Sequence, residues 1–392
     1  MPATLSPTRP DAAAPGEAES PLARLSPEQI DALGREFDAI HDEVYAGLGE
    51  RDARYIRSTI ALHRRLVLAA RATLLFSRRR PAWLAGTAML SLAKILENME
   101  LGHNIMHGQW DWMNDPDINS QSWDWDTASP ADAWKHSHNY EHHTFSNIRG
   151  KDRDLGYEIM RIDPHQSWHP VYLLQPVYNL VLMGFFEWGV AMHDMNFDAI
   201  RTGEKSKVQA WSELKAIGVK ARRQIVKDYL AFPALSAAAS PAGRRGRTFK
   251  STFWANFTAN IVRNVWAHSI IFCGHFPDQT YTFGESEVAE ETRGGWYVRQ
   301  LLGAANIDGS PVFHLLSGNL SFQVEHHLFP DMPSSRYAEI APRVRDICRR
   351  YGLPYNTGPL HRQLGTVHRT ILRLAFPGGR PRPKPGPYGA GA

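Results

Sequence analysis

Cysteine is scarce in this sequence, with two residues, Cys273 and Cys348, in a chain of 392. Two cysteines so far apart cannot hold an iron–sulfur cluster or build a disulfide framework. An electron-transfer group of that kind would have to come from a partner protein. The net charge is also small, at +4, and basic residues are scattered among acidic ones. This pattern argues against nucleic-acid binding, and we expect no nucleic-acid partner.

Clean hydrophobic runs are missing too. Apolar stretches occur at 66–76, 83–106, 171–192, 229–239 and 253–273, and they are short or carry polar interruptions. The stretch 83–106 is long enough to cross much of a bilayer if its few charges face inward. Arg78, Arg79 and Arg80 precede it, as basic residues do at a membrane interface. Because no signal-peptide pattern precedes these stretches, we expect a cytoplasmic N-terminus.

The ends of the chain differ in composition from its centre. Their Pro-, Ala- and Gly-rich sequences predict disordered tails at 1–25 and 373–392, on either side of a single domain at 26–372. A helical pattern runs from Ser26 to about Leu74. It begins with a capping serine before Pro27.

Histidine is plentiful, and the first candidate site is His103-Asn-Ile-Met-His107. A spacing of i, i+4 puts both imidazoles on one face of a helix, close enough to share a metal ion. Glu97 and Glu100 extend this polar stripe through apolar neighbours, which suggests function because polar groups in an apolar helix are costly. Taken alone, the box fits two structural histidines equally well.

Two further histidine boxes follow the first. In His138-Asn-Tyr-Glu-His142-His143, the first two histidines share a face, while His143 points about 100° away and could reach a second metal ion. In Gln323-Val-Glu-His326-His327 the two histidines diverge in the same way. Gln323 lies one turn earlier and could ligate a metal weakly or hydrogen-bond a ligand.

Together the boxes predict a metal centre with more imidazoles than one ion can use. Imidazole by itself suits iron, zinc or copper. The sequence has no HExxH motif of zinc proteases. It has one Glu-x-x-His pair, Glu100 to His103, where a ferritin-like di-iron site needs two. A histidine-rich membrane metal protein remains.

The three boxes resemble those of the membrane fatty acid desaturase family. The segments 97–115 (ENMELGHNIMHGQWDWMND), 274–278 (GHFPD) and 317–336 (SGNLSFQVEHHLFPDMPSSR) are similar to actinobacterial NADPH-dependent stearoyl-CoA desaturases. The resemblance runs from about Ser26 to Leu372. It implies an all-α, multi-pass protein of the cell membrane, whose transmembrane helices carry a cytoplasmic helical domain with the di-iron site.

The resemblance also implies one more histidine ligand before the third box. His275, in the GHFP segment, matches the bacterial pattern and is preferred. His268, in Asn264-Val-Trp-Ala-His268, resembles the Asn-x-x-x-His of animal enzymes and stays an alternative, with Asn264 as an indirect ligand. The expected metal ligands are His103, His107, His138, His142, His143, His275, His326 and His327.

The chemistry implied is desaturation of a long-chain acyl-CoA by dioxygen at two ferrous ions, with a cis double bond at the 9 position of stearoyl-CoA or palmitoyl-CoA. The metal ligands would be the sole catalytic groups. The chain has neither a GxGxxG dinucleotide fingerprint nor the HPGG motif of a fused cytochrome. Electrons from NADPH would therefore arrive through a separate flavin or iron–sulfur reductase or a ferredoxin, and membrane lipid would surround the protein. Arg78–Arg80, Arg149, Lys151, Arg153 and Arg336 are candidates for contact with coenzyme A phosphates.

Other functions fit the boxes as well. A membrane di-iron hydroxylase or alkane monooxygenase uses similar boxes, and a glutamine at the head of the third box also resembles front-end desaturases. A non-catalytic metal-binding or transport protein is a rival from a different class. It would spread its histidines along several spans, whereas an enzyme would cluster them.

Overall fold

The structure, a computed structural model, describes residues 21–277, 279–380 and 384. Most of both predicted tails, and Asp278 of the 274–278 segment, lie outside the described residues. Within the predicted N-terminal tail, Pro21–Arg24 form one 3-10 turn. At the other end, the last described helix reaches Leu374.

Helices dominate the described residues, in agreement with the expected all-α class. The α-helices are α1 Pro27–Ala46, α2 Glu50–Leu74, α3 Arg80–Leu96, α4 Asn104–Met106, α5 Ala131–Trp134, α6 His143–Phe145, α7 Gln175–Gly184, α8 Phe186–His193, α9 Phe197–Thr202, α10 Lys207–Ile225, α11 Phe232–Ala238, α12 Arg245–His275, α13 Arg293–Gly303, α14 Pro311–Leu316, α15 Gln323–Leu328, α16 Tyr337–Arg350 and α17 Leu360–Leu374. Segments of π-helix span Glu97–His103, Lys135–His142 and Val226–Ala231. Turns of 3-10 helix span Asp111–Met113, Leu155–Glu158, Pro170–Leu174, Ala242–Arg244, Glu285–Val288, Leu320–Phe322 and Ser334–Arg336.

The first predicted helix forms as two. Ser26 caps α1 by accepting a hydrogen bond from the backbone N–H of Gln29, and the Gln29 side chain accepts one from the backbone N–H of Ser26. The helix ends at Gly47, and α2 starts after Gly49. Hydrophobic periodicity continues on both sides, so this break shows in the sequence only through Gly47 and Gly49.

Two helical hairpins build the long part of the molecule. Helices α2 and α3 form one, α11 and α12 form the other, and α3 packs against α12. Among the described residues, no helix is both long enough and apolar enough to cross a membrane.

A second layer covers the ends of these hairpins. Its core includes Phe37 of α1, Tyr297 of α13 and Phe329 after α15, whose rings lie 5.1 to 6.2 Å apart. Strands β1 (Asn306–Asp308) and β2 (Thr357–Pro359) pair in parallel, with Ile307 opposite Gly358. The Asn306 side chain donates to the buried Glu325, which ties this layer to the third histidine box.

Candidate metal centre

The structure brings the three histidine boxes and His275 into one cluster. Side-chain nitrogens of His103, His107, His138 and His326 all lie within 4.8 Å of one another, and so do those of His142, His275 and His327. His143 lies between the two groups, with its ring 4.7 Å from that of His107 and 4.6 Å from that of His327. Two adjacent donor sets with a shared neighbour have the form of a two-metal site.

Two of the boxes lie on π-helix. His103 ends the segment Glu97–His103, and His138 and His142 belong to Lys135–His142. The wider turn of a π-helix is uncommon and often marks a functional site. The rings of His138 and His142 stack 5.1 Å apart, so the shared face predicted from an α-helical spacing forms with different local geometry.

Buried groups behind the cluster fix the orientation of the rings. The Nδ1 atoms of His138 and His142 lie 3.2 Å from Asp154 and 3.0 Å from Asp152. Because a carboxylate accepts hydrogen bonds, these Nδ1 atoms donate and the Nε2 lone pairs are left for a metal. His327 Nδ1 is likewise 2.8 Å from Gln300 Oε1.

Burial keeps most imidazoles of the cluster neutral. Burial first, and then the neighbouring histidines, hold the pKa of His103, His107, His143, His275, His326 and His327 well below the ordinary value. Burial also acts to lower the pKa of His142, but Asp152 and Asp154 outweigh it and raise that pKa. Neutral imidazole is the form that binds metal ions.

The hydrogen bonding of the imidazole nitrogens indicates whether a metal ion fits between them. Buried polar atoms in proteins are nearly always hydrogen-bonded. In this cluster, several imidazole nitrogens are buried without a hydrogen-bond partner: His107 Nε2, His138 Nε2, His142 Nε2, both nitrogens of His143, His275 Nδ1 and His327 Nε2. In addition, His103 Nε2 and His326 Nε2 face each other at 3.3 Å. Neutral lone-pair donors that converge in this way fit cations between them.

A cavity of about 60 Å³ adjoins the cluster. His103 and His138 form one side, and Met99, Phe186 and Ile271 contribute apolar surface. Asp194 lines it as well and accepts hydrogen bonds of 2.6 Å from both Ser129 and Ser137. Burial raises the pKa of Asp194 to about 6. The cavity thus offers apolar contact beside the metal ligands, together with one carboxyl group that can exchange a proton near neutral pH.

Comparison with known proteins decides the family. The sequence model of the family described as "Fatty acid desaturase" matches residues 81–359. The chain belongs to the fatty acid desaturase family. The prediction that it is an oxidoreductase of the desaturase type is thereby confirmed. No solved structure matches the chain.

Individual relatives agree with this assignment. The chain is 46% identical to a Mycobacterium tuberculosis protein named NADPH-dependent stearoyl-CoA 9-desaturase, over 91% of this chain and 82% of the relative. It is 24% identical to the Synechocystis sn-1 linoleoyl-lipid 6-desaturase, over 71% of this chain and 76% of that protein. The human fatty acid desaturase 3 is 36% identical over a short region, 22% of this chain.

The two candidates for the additional ligand in this desaturase occupy different surroundings. His275 ends α12 and faces His142 and His327, with ring centroids 4.8 and 4.9 Å away. His268 lies two turns earlier, outside the cluster, where its Nε2 is 3.0 Å from Asn179 Oδ1. The Asn264 amide donates to the Gly184 carbonyl and accepts from Arg263. The structure therefore places His275, and not His268, with the other predicted ligands.

Gln323 lies directly beside the cluster. Its side-chain nitrogen is 3.1 Å from His275 Nε2, and its Oε1 is buried without a partner. A Cβ on Gly274 would come within 2.8 Å of the Gln323 Cγ, so the glycine of the GHFP segment leaves room for this glutamine. Both predicted possibilities, a weak ligand or a partner of a ligand, stay compatible with this position.

The glutamates of the first box have structural partners. Glu100 accepts hydrogen bonds from Tyr55, Asn319 and Ser334, and Glu97 accepts one from the backbone N–H of Asp126. The functional interpretation of this polar stripe gains no support from these contacts. The cost of burying the two carboxyl groups is offset by hydrogen bonds that connect α3 and its π segment to other elements.

Sequence reasoning missed several side chains that complete the cluster. Asp152 and Asp154 follow the second box by about ten residues. His193, which belongs to no box, is buried with its Nε2 2.9 Å from Asp154. Gln300 lies on α13, distant in sequence from every box. The Asp-x-Asp spacing after His143 was a usable signal for the carboxylates, because ligand histidines commonly have carboxylate partners.

Proposed function

We propose that this chain catalyses the oxygen-dependent desaturation of a long-chain acyl-CoA, stearoyl-CoA or palmitoyl-CoA, with the cis double bond at the 9 position. The reaction would take place at two iron ions held by the histidine cluster, and NADPH would supply the electrons through a separate reductase. The observation that carries this proposal is the convergence of seven imidazoles in two donor sets, with His143 between them, beside a cavity with apolar walls. The mycobacterial relative, named an NADPH-dependent stearoyl-CoA 9-desaturase, supports the substrate and the electron donor.

In this chemistry the protein would hold the metal ions, orient the acyl chain and exclude water. His103, His107, His138 and His326 would hold one ion, His142, His275 and His327 the other, with His143 between them. When bound, the ions would supply the activation of dioxygen and removal of two hydrogen atoms from adjacent methylenes. The reaction converts the acyl chain, dioxygen, two electrons and two protons into the alkene and two waters. Asp194, with its pKa near 6, is placed to donate protons into the cavity.

The acyl chain would reach the cluster through the cavity lined by Met99, Tyr157 and Phe186. At about 60 Å³, this cavity is smaller than the roughly 300 Å³ at which ligand pockets begin. Substrate entry therefore requires side chains such as Tyr157 and Phe186 to move. Their apolar surfaces would keep water away from the reacting carbon atoms.

The cations expected to meet coenzyme A phosphates are dispersed in the structure. Arg153 pairs with Glu141 and Glu158, and Arg336 pairs with Asp52. Arg78, Arg79 and Arg80 lie at the start of α3, the end of that helix opposite His103. The acyl-CoA substrate is therefore proposed from the relative and not from a phosphate site.

We also propose that the enzyme works at the cell membrane, with the metal centre on the cytoplasmic side. Exposed apolar side chains support membrane association: Val177, Leu180, Val181, Trp254 and Val262 are each between 41% and 62% exposed. Exposed apolar side chains grouped on α7 and α12 suit a protein or membrane contact. A lipid substrate fits this location.

Expression in a desaturase-deficient host, with gas chromatography–mass spectrometry of its fatty acids, tests the reaction. We expect a 9-cis product that requires oxygen, together with about two irons per chain in the purified protein. A hydroxylated product would assign the chain to hydroxylation, and a double bond nearer the carboxyl end would make it a front-end desaturase. Stoichiometric zinc would contradict the di-iron centre. The clustering of the histidines disfavours a transport protein, which would also yield no product.

A further inference from the structure

A second cavity adjoins the metal centre on the side of α2 and α10, and we call it the cationic cavity. Its volume is about 390 Å³, which exceeds the roughly 300 Å³ at which ligand pockets begin. It lies between α2, α3, α10 and the segment 123–127. Trp125 and Thr127 line both this cavity and the smaller one beside His103 and His138. The two cavities are therefore neighbours that share a wall.

Basic residues of two helices face this cavity. On α2, Arg64 and Arg71 are about two turns apart, and on α10, Lys220 and Arg223 are about one turn apart, so each pair shares a helix face. The cations of the wall are Arg64, Arg71, Lys94, Lys220, Arg223 and Lys227, and its carboxyl groups are Glu97, Asp124 and Asp126. Positive charge is in excess even when Asp228, which contacts Arg71, is added.

The inner cations of the cavity are paired, and the outer ones are not. Arg71 and Lys94 both contact Asp228, at 2.9 and 2.8 Å. The other pairs are Lys220 with Asp124 and Lys227 with Asp126. Arg64 and Arg223 are exposed and form no ion pair with a carboxylate in the described part of the chain. Because they belong to the wall and are exposed, they lie at the opening of the cavity and concentrate the excess charge there.

Three buried groups of the wall residues have no hydrogen-bond partner among the described residues. They are Arg71 Nε, Trp123 Nε1 and Thr127 Oγ1. Buried polar atoms in proteins are nearly always hydrogen-bonded, and guanidinium and indole nitrogens can only donate. An acceptor bound in the cavity would give these N–H groups a partner. Cations at the opening and donors in the wall together suit an anion with several oxygens, such as a phosphate group.

The inner wall indicates that the ligand also has an apolar part. Ile60, Leu90 and Leu101 line the cavity and belong to the buried core of the protein. A free inorganic anion would leave this apolar surface facing water, which is unfavourable. A ligand that carries a phosphate group and an aliphatic chain would cover the apolar wall and meet the cations at the same time.

The shared wall leads from the cationic cavity to the metal centre. The ring of Trp125 is 4.9 Å from that of Trp134, which in turn stacks on His138 at 4.6 Å. Along α3 and the π segment that follows it, Lys94 and His103 are about 13 Å apart. This separation is similar to the stretch of acyl chain between a carboxyl carbon and the 9 position. An acyl chain whose head group lies in the cationic cavity can therefore place that position near the histidines.

We propose that the cationic cavity binds the phosphate-bearing head group of the acyl donor, and that the acyl chain passes Trp125 and Thr127 to reach the metal centre. Coenzyme A thioesters and phospholipids share this chemistry. The thioester is the expected donor, because the mycobacterial relative is named a stearoyl-CoA 9-desaturase. The inference rests on the proposed function for the nature of the ligand, whereas the anion site depends on the cavity alone.

Equilibrium dialysis of the purified full chain against radiolabelled coenzyme A tests this inference, and it requires neither turnover nor bound metal. We expect saturable binding. The double variant Arg64→Gln, Arg223→Gln should weaken that binding by at least about tenfold, because charge-assisted hydrogen bonds to phosphate are lost. Added salt should weaken binding to the wild type more than binding to this variant.

Two control variants keep the test specific. The double change Arg65→Gln, Arg222→Gln removes the adjacent exposed arginines of the same two helices, which do not line the cavity, and should leave the affinity unchanged. The double change Arg64→Lys, Arg223→Lys retains the charge and should keep most of the affinity, which excludes a folding defect as the cause. Circular dichroism of each variant checks the helical content.

Competition identifies the source of the phosphate group. Stearoyl-CoA, a short-chain monomeric phosphatidylglycerol and inorganic phosphate each compete with the labelled coenzyme A. We expect stearoyl-CoA to displace it at the lowest concentration. If coenzyme A does not bind but radiolabelled phosphatidylglycerol does, and that binding requires Arg64 and Arg223, the site stands with a phospholipid as the acyl donor.

Several results would overturn the proposal. Unchanged affinity in the Arg64→Gln, Arg223→Gln variant would exclude the cavity as the binding site, and an equal loss in the Arg65→Gln, Arg222→Gln control would reduce the effect to general surface charge. Displacement by inorganic phosphate as effective as that by stearoyl-CoA would leave a simple anion site. A 9-cis product whose KM for stearoyl-CoA is unchanged in the Arg64→Gln, Arg223→Gln variant would keep the proposed function and remove this inference. If binding requires Arg64 and Arg223 but no alkene forms, the proposed reaction fails and this inference stands.

Discussion

At the level of single residues, the orientation of the clustered imidazoles depends on carboxylates behind them. Asp154 contacts both His138 and His193, and Asp152 contacts His142 and the backbone N–H of Asn147. Burial raises the pKa of Asp154, but His142, His138 and His193 outweigh it and hold that pKa well below the ordinary value. Asp154 is therefore ionised when it orients these rings.

Replacing Asp154 by Asn should weaken metal binding by about 10 to 100-fold, because the amide no longer fixes the tautomer of His138. Chelator competition on the purified protein measures this affinity directly. The control is Asp163→Asn, a buried carboxylate that contacts His165 and Thr282 outside the cluster. Equal metal affinity in the Asp154 variant and the wild type would show that the ring is held by packing alone.

Alanine substitutions of the two candidate histidines of α12 should have different effects, one on bound metal and the other on stability. His275→Ala should lose the ion held with His142 and His327, so that bound metal falls from about two to about one per chain. His268→Ala should keep its metal and lose about 1–3 kcal/mol of stability, because Asn179 is left without a partner. Elemental analysis and thermal unfolding separate the two effects. The opposite result would make His268 the ligand.

At this scale the sequence predicts the clustered histidines, but it does not predict most of their hydrogen-bond partners. Close spacing makes the three boxes recognisable, and the GHFP segment marks His275, so the sequence predicts all eight histidines that the structure brings together. His275 and His268 are two turns apart on one helix, and periodicity alone cannot choose between them. Gln300 and Tyr337 reach the rings of His327 and His326 across the fold, and no local pattern records such contacts.

At the level of helices, a pair of glycines sets how closely α1 approaches α13. A Cβ on Gly294 would lie 2.1 Å from the Ile30 carbonyl oxygen, and one on Gly34 would lie 3.0 Å from the Gly294 Cα. The backbones are thus in direct contact. Through this contact Phe37 packs against Tyr297 and Phe329, immediately after the third histidine box.

Gly294→Ala should destabilise the protein by about 1–3 kcal/mol or more, because the methyl group meets backbone atoms that cannot move aside. Limited proteolysis should show earlier cleavage within α1. The matched control is Gly295→Ala, whose Cβ would lie 3.2 Å from the flexible side chain of Glu291 and which gains helix propensity. Similar thermal unfolding of the two variants would contradict the proposed helix contact.

Sequence patterns predict helix features that depend on local signals and miss those that depend on tertiary contacts. The start of α1 is predicted at the right residue because Ser26 and Pro27 are local signals. The π segments that carry His103 and His138 are not, because their extra residue per turn is stabilised by tertiary contacts and leaves no composition signal. The break at Gly47 is missed because hydrophobic periodicity continues beyond it.

At the level of the whole molecule, buried charges join four helical elements. Asp228, in the π segment after α10, lies 2.9 Å from Arg71 of α2 and 2.8 Å from Lys94 of α3. The side-chain amide of Asn256, on α12, donates to the backbone carbonyl of Asp228 at 2.7 Å. In the sequence these segments are separate apolar stretches, and no local pattern pairs side chains that lie so far apart along the chain.

Asp228→Asn should destabilise the fold by about 3–5 kcal/mol at neutral pH, because Arg71 stays buried without a counter-charge and Lys94 keeps only the more distant Asp126, at 3.6 Å. The size of this loss should depend on pH. Burial alone would raise the pKa of Asp228, but Lys94, Lys227 and Arg71 hold it below its ordinary value. Ionised Asp228 therefore stabilises the fold above that ordinary value of about 3.8, and the stabilisation is lost as the pH falls through the lower pKa of the folded state.

Thermal unfolding of the wild type and the Asp228→Asn variant across pH 3 to 8, a range of about five units around the carboxyl titration, measures this dependence. We expect a large difference in midpoint above pH 5 that shrinks in acid, where the protonated aspartic acid resembles asparagine. The control is Asp198→Asn, an exposed partner of Arg201, which should change stability by less than about 1 kcal/mol. A difference that stays constant with pH would mean that Asp228 acts through its shape and hydrogen bonds, and that its charge does not hold the helices together.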